Sequence, residues 1–241
     1  MMKMENDRVM RREVLRGSSL LDGVDDAAIE YLTDYSVIRT FNRGAVVNSM
    51  ENAATGIVVL IDGKAYVTSY LADGRIFILD MLLSGSLFGL MNLSGASSIS
   101  MEMVAKTPCV AILIESRAVL DTMERWSSFR RVMWNQALER IADLNAKVIC
   151  SATPSLPARL ATNLLRLASE CEQNPGVKEP DVMISQHDLA SMLPASREKV
   201  NRCLRGWEER GIIEVELGRI SILKRGALGS FALCDPLAVE D

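Results

Sequence analysis

Arg197, Lys199, Arg202 and Arg205 crowd one short segment against a single acid, Glu198. Local positive charge of this kind is what attraction to a phosphate backbone requires. The residue types add a second layer of chemistry. An arginine fork fits guanine O6 and N7, and a glutamate accepts from the cytosine N4 amine. At helical spacing, Val200, Cys203, Leu204 and Trp207 fall on one apolar face, while Arg197, Glu198, Asn201, Arg202 and Arg205 fall on the opposite one. Solvated charges on a generic helical hairpin would look the same in isolation, so the flanking residues have to decide.

Those flanks read as a DNA-binding unit. Ser185–Arg210 gives two helices joined by a tight turn. Ser185 caps the first, with Asp188 three residues on as the acidic partner of the helix start. Leu189, Ala190 and Leu193 face inward, Pro194-Ala195 turns the chain, and Ser196 caps the second helix. Ile212–Glu216, Gly218 and Ile220–Leu223 then predict a two-stranded wing. A short helix held by its apolar side presents Arg, Glu and Asn near its N-terminus, where base edges can be reached.

Other chemistry is thinly represented. His187 is the sole histidine, and no phosphate-binding glycine loop, metal-ligand spacing or nucleophile–base pair occurs, so we expect neither an enzyme nor a metal or cofactor. The five cysteines, Cys109, Cys150, Cys171, Cys203 and Cys234, form no C-x-x-C pair and suit buried thiols in a reducing compartment. Cys150 is either a redox switch beside a hinge or an inert buried thiol. Met81, Met91, Met101, Met103 and Met133 either line an apolar cavity or fill a core. A helix-turn-helix that binds protein instead of DNA is a further alternative.

The elements that must position the cationic helix follow from pattern. The chain has 241 residues and a net charge of −4, and from Ala152 onward it carries 11 basic against 13 acidic residues, so any DNA-binding charge is local. Met1–Arg16 lacks the apolar stretch of a signal peptide, and no apolar run reaches the roughly 18 residues of a membrane span, which predicts a cytoplasmic protein with no membrane partner. Asp25–Tyr31 reads as a short amphipathic helix. Gly56–Ile61 and Lys64–Thr68 flank Asp62-Gly63, which predicts a tight hairpin. Ala72–Arg75 turns into Ile76–Leu79, and Val104–Ile114 supplies two more strands, so a small antiparallel barrel or sandwich is expected. Phe129–Ile149 predicts a long helix with a narrow seam, Trp134, Leu138, Ile141, Asn145 and Val148, suited to packing against a second copy. Ser151–Ser155 breaks it as a hinge, Leu156–Cys171 is a helix with Leu160, Leu164, Leu165 and Leu167 inward, and Gln173–Pro180 is a polar loop.

Taken together these features resemble the Crp/Fnr family of bacterial regulators over nearly the full length. Ser196-Arg197-Glu198-x-Val200-x-Arg202 is similar to the recognition helix of its catabolite-activator branch. The resemblance implies an α+β fold: an N-terminal antiparallel β-roll of cyclic-nucleotide-binding type over residues 1–126, a dimerisation helix over 127–151, and a winged helix-turn-helix over 152–241. It implies that Arg197, Glu198 and Arg202 read bases. Ser185, Gln186, His187, Ser196, Asn201 and Arg205 would then lie along the DNA backbone. A homodimer presents two such helices to successive major grooves about 34 Å apart, so the site is expected to be an inverted repeat close to TGTGA-N6-TCACA. Double-stranded DNA, a second copy of the chain and RNA polymerase are the partners implied.

The same resemblance undercuts the obvious effector. The cyclic-nucleotide branch carries Gly-Glu followed by Arg-Ser/Thr, the Glu gripping ribose and the Arg neutralising phosphate. Here Leu90 stands for the Glu and Ile99 for the Arg, within Phe88-Gly89-Leu90-Met91 and Ile99-Ser100-Met101, and Leu144 and Asn145 occupy the dimer-helix positions that contact the base. A buried phosphate without a cation would cost several kcal/mol. This degenerate pocket is expected not to hold cyclic AMP, which leaves another effector or none. No cysteine precedes Cys109 to ligate an iron–sulfur cluster, and the sole histidine is outside the roll. An atypical pocket that is cyclic-nucleotide- or redox-responsive is the alternative.

Overall fold

The computed structural model describes residues 2–49, 55–94, 100–152, 155–173, 181–193 and 195–232. Ile99, Thr153, Pro154, Pro194 and Cys234, together with most of the loop read at 173–180, lie outside the described residues. The chain divides into two compact units, 1–140 and 141–241.

Among the described residues of the first unit, two α-helices, α1 (Met2–Arg16) and α2 (Asp26–Asp34), precede eight strands. These are β1 (Ser36–Phe41), β2 (Val46–Ser49), β3 (Thr55–Asp62), β4 (Ala65–Tyr70), β5 (Ile76–Leu82), β6 (Leu87–Phe88), β7 (Glu102–Ala105) and β8 (Cys109–Glu115). Two antiparallel four-stranded sheets result, in the orders β1-β8-β3-β6 and β2-β7-β4-β5. α3 (Ser116–Arg125) and the start of α4 (Ser127–Ala152) follow. Val58, Leu60, Val67, Phe88, Met103 and Ala111 belong to one apolar cluster of the roll. Ile57, Val59, Ile112 and Ile114 turn the other way and pack with Leu15, Leu32, Val119, Phe129 and Met133. Strand alternation explains the division: successive side chains of β3 point to opposite faces, and both faces are covered.

The hairpin expected at Asp62-Gly63 is absent. β3 pairs with β8 and β6, whereas β4 pairs with β5 and β7, so this turn carries the chain from one sheet to the other. Gly63 has φ +98°, and a Cβ there would lie 2.4 Å from the Pro108 carbonyl oxygen. The turn therefore answers to the loop before β8, where the Lys64 amide donates to Thr107 Oγ1 at 2.9 Å. Both edges of β3 and of β4 are already taken, which leaves no room for the two to pair. The turn at Ala72–Arg75 does make a hairpin, with Tyr70 opposite Ile76.

Two helices of the first unit, and the short helix Arg225–Gly229 of the second, were not foreseen in the sequence. α1 has little apolar period, but its arginines clasp α2: Arg8 meets Glu30 at 3.0 Å and Asp34 at 2.7 Å, Arg12 meets Glu30, and Arg16 meets Asp26. α3 is held through buried Ala118, Val119 and Thr122.

The second unit contains the rest of α4, then α5 (Leu156–Gln173), α6 (Gln186–Met192), α7 (Arg197–Glu208), β9 (Ile213–Glu216), β10 (Arg219–Ile222) and α8 (Arg225–Gly229). Leu160, Leu164 and Leu167 are fully buried on α5, while Leu165 is only half-buried. Val182 bridges Ile220 through two backbone hydrogen bonds, adding a short third strand to the β9–β10 wing. Arg225 ties α8 to α5 through Glu172 and Ser169, both at 2.6 Å.

Candidate nucleic-acid interface

Each helix of the pair α6–α7 starts on a serine. Ser185 Oγ accepts from the Asp188 amide at 3.1 Å and donates to the Asp188 carboxylate at 2.6 Å, so this hydroxyl is used inside the cap. Ser196 Oγ accepts from the Lys199 amide at 3.4 Å. These caps satisfy helix-start amides that would otherwise lack partners. Leu189, Ala190 and Leu193 of the first helix region are buried, as are Val200, Leu204 and Trp207 of α7, with Cys203 half-buried beside them. The Glu208 carboxylate accepts from the Val215 amide at 3.1 Å, joining the end of α7 to the wing. Trp207 stacks near Phe231, with ring centroids 5.4 Å apart.

Held this way, α7 turns Arg197, Glu198, Lys199, Arg202 and Arg205 outward, all exposed. Among the described residues, no carboxylate pairs with any of these four cations, whereas Arg219 of the wing is taken up by Asp181. His187 is exposed on the first turn of α6, and Gln186 is half-buried beside it. Asn201 sits differently from the arginines: it is half-buried, with a buried Oδ1 that has no hydrogen-bond partner. The wing hairpin itself is acidic, with Glu214 and Glu216 exposed and Leu217 fully exposed at its tip. The exposed cations of this helix pair thus lie on α7.

Along α4 the seam residues Trp134, Leu138, Ile141 and Val148 are 63%, 48%, 54% and 66% exposed, and Asn145 is exposed among them. Phe129 and Met133, on another face, are buried in the roll's helical core. One helix therefore serves its own unit with one face and leaves an apolar face bare.

Leu90 and Met91 bring no polar side chain to the first unit. Gly89 has φ +104°, and a Cβ would lie 2.4 Å from the Gly56 carbonyl oxygen, so the chain bends there into a short 3-10 turn. Leu90 packs against the cluster that includes Ile57, Phe129 and Met133; Met91 is 45% exposed. Ser100 is exposed and its carbonyl accepts from Ser69 Oγ at 2.9 Å. Leu144 and Asn145 are exposed on α4. Of the five methionines, Met103 and Met133 are fully buried in two different cores and Met101 packs against one of them, as core filling requires; Met81 is buried as well. Cys150 is buried.

One feature of this region escaped the sequence reading. Asp80 of β5 is buried and its carboxylate is paired with the Arg140 guanidinium of α4. The signal was present: a lone acid inside Phe77-Ile78-Leu79-Asp80-Met81-Leu82-Leu83 cannot stay charged and buried without a partner.

A roll of two antiparallel sheets, a long helix and a winged helix-turn-helix with a free cationic face define a DNA-binding transcription regulator. Residues 38–125 match the cyclic nucleotide-binding domain family, and residues 158–231 match the Crp-like helix-turn-helix domain family. The chain belongs to the Crp/Fnr family of bacterial transcription regulators. It is 26% identical over 217 residues to the CRP-like cAMP-activated global transcriptional regulator of Mycobacterium tuberculosis, covering 85% of this chain and 92% of that one. In fold it is similar to a Crp/Fnr-family regulator from Eubacterium rectale (TM-score 0.68, 18% identity, 89% of this chain and 97% of that one). A CooA mutant from Carboxydothermus hydrogenoformans is likewise similar (TM-score 0.69, 16% identity, 91% and 94%). Among the described residues, no helix is long and apolar enough to cross a membrane.

Proposed function

We propose that this chain acts in the cytoplasm as a homodimeric regulator that reads an inverted repeat resembling TGTGA-N6-TCACA, with an effector other than cyclic AMP or none. The observation that carries the reading is the outer face of α7, where Arg197, Glu198 and Arg202 are exposed and unpaired. In it, Arg197 and Arg202 take guanines, Glu198 takes a cytosine amine, and Arg205 with the α6 start meets phosphate. Ser196 keeps a free hydroxyl proton for the backbone, Gln186 and His187 border it, and Ser185 contributes through the helix start it caps. Asn201 has the weakest support, because its carbonyl is turned inward.

The bare seam on α4 supports dimerisation, and the three parts proposed for the chain are a roll over 1–126, a dimer helix over 127–151 and a reader over 152–241. RNA polymerase is the further protein partner this reading supplies. The Mycobacterium tuberculosis relative is described as cAMP-activated. Leu90, packed into an apolar cluster, offers no ribose ligand here. The test is anisotropy on a duplex bearing TGTGA-N6-TCACA against a scrambled duplex, with and without millimolar cyclic AMP, beside a melting curve. The expected result is salt-dependent preference for the palindrome and no response to cyclic AMP. A ligand at a hundredfold excess over Kd would add about 2.7 kcal/mol, so a clear rise in Tm would restore the nucleotide-responsive alternative.

A further inference from the structure

We propose that the Asp80–Arg140 pair is a built-in latch that fixes α4 to the roll without a ligand, so that DNA affinity does not wait on an effector. The proposal rests on the regulator reading above and adds how its sensor is set. Asp80 is 6% exposed on β5, opposite Val67 of β4, with Ile78, Met81, Leu82 and Leu83 buried around it in sequence. Its Oδ1 accepts from the Met81 amide at 3.1 Å and its Oδ2 meets Arg140, so both oxygens are engaged. Removing Arg140 takes the guanidinium from a buried carboxylate, and removing Asp80 takes the counter-charge from Arg140.

The position on α4 gives the pair its consequence. From Trp134 to Ile149 no side chain of the helix is fully buried. Arg140 lies near the middle of that span and at the end of the first compact unit, so within one chain this contact ties to the roll a helix stretch whose other support is the proposed dimer seam. Arg140 also stands one turn before Leu144 on the same face of the helix. A carboxylate from β5 thereby supplies negative charge to that face from within the chain.

The experiment compares full-length wild type, Asp80→Ala and Arg140→Gln in duplex anisotropy and in hydrogen–deuterium exchange of the amides of 141–149. Both variants should sediment as wild type, lose at least tenfold in DNA affinity and exchange faster over 141–149. Acetate should restore affinity to Asp80→Ala at ionic strength matched with chloride. Should Asp80→Ala fail to fold, Arg140→Gln, whose side chain is 34% exposed, carries the test alone. Wild-type affinity together with wild-type exchange in the variants would overturn the latch. Absence of specific DNA binding by wild type would instead remove the regulator reading, and the exchange data would still decide the latch.

Discussion

Several arginines of this protein are spent on holding it together. Arg8, Arg12 and Arg16 clasp α2, Arg140 meets Asp80, and Arg219 and Arg225 meet Asp181 and Glu172. Arg197, Arg202 and Arg205 make no such pair among the described residues, and an exposed charge without an internal partner gives up little when it moves onto DNA. On a fixed palindromic duplex, Arg197→Ala or Arg202→Ala should weaken binding about ten- to hundredfold and flatten preference at one base pair. Arg205→Ala should weaken all duplexes alike and reduce the salt slope by about one. Titrations at several salt concentrations separate the two behaviours. The thiols make a second prediction at this scale. Burial raises the pKa of Cys109, and burial also raises that of Cys203 against a smaller opposing effect of the Arg202 charge. A raised thiol pKa means less thiolate at neutral pH, so alkylation followed peptide by peptide should be slower than for free cysteine at pH 7 and accelerate as pH climbs through the thiol range. Fast labelling of Cys203 at pH 7 would contradict this.

At the scale of elements, α4 carries the next prediction. Leu138 and Ile141 lie on a bare apolar face, so Leu138→Asp with Ile141→Asp would place like charges across a dimer seam. The double variant should sediment as a monomer and bind the palindrome weakly; an unchanged dimer would remove the seam from these residues. How far elements were legible depended on how local their causes are. The helix-turn-helix was readable because caps, apolar periods and the wing turn all lie within a few residues of what they specify, and Ser185, Ser196, Leu189 and Trp207 sit where the pattern put them. The roll was readable as strands but not as pairings. Asp62-Gly63 satisfies hairpin chemistry, yet the partners of β3 and β4 come from β5 to β8, and no short-range signal outweighs that competition. α1 went unread because its attachment is largely ionic, to acids on α2 ten or more residues away, and leaves hardly any apolar period. The site followed the same rule. The reading face was local and visible, while the Asp80–Arg140 contact joins residues 60 apart and left only a stranded acid as its trace.

For the molecule as a whole, a net charge of −4 leaves the proposed DNA contact to one small cationic face on an otherwise acidic protein. Binding of that kind should be strongly salt-dependent and narrow in footprint, with sequence read by few side chains. In the proposed dimer, two-fold symmetry would convert one short half-site into an inverted repeat whose spacing is set by the separation of the two α7 helices. Selection from random-sequence DNA by wild type and by Arg197→Ala tests this most directly. Wild type should enrich an inverted repeat with half-sites close to TGTGA separated by six base pairs, and Arg197→Ala should lose guanine at one position of each half-site. An asymmetric or guanine-free consensus, or an Arg197→Ala consensus the same as that of wild type, would contradict α7 as the reader of sequence.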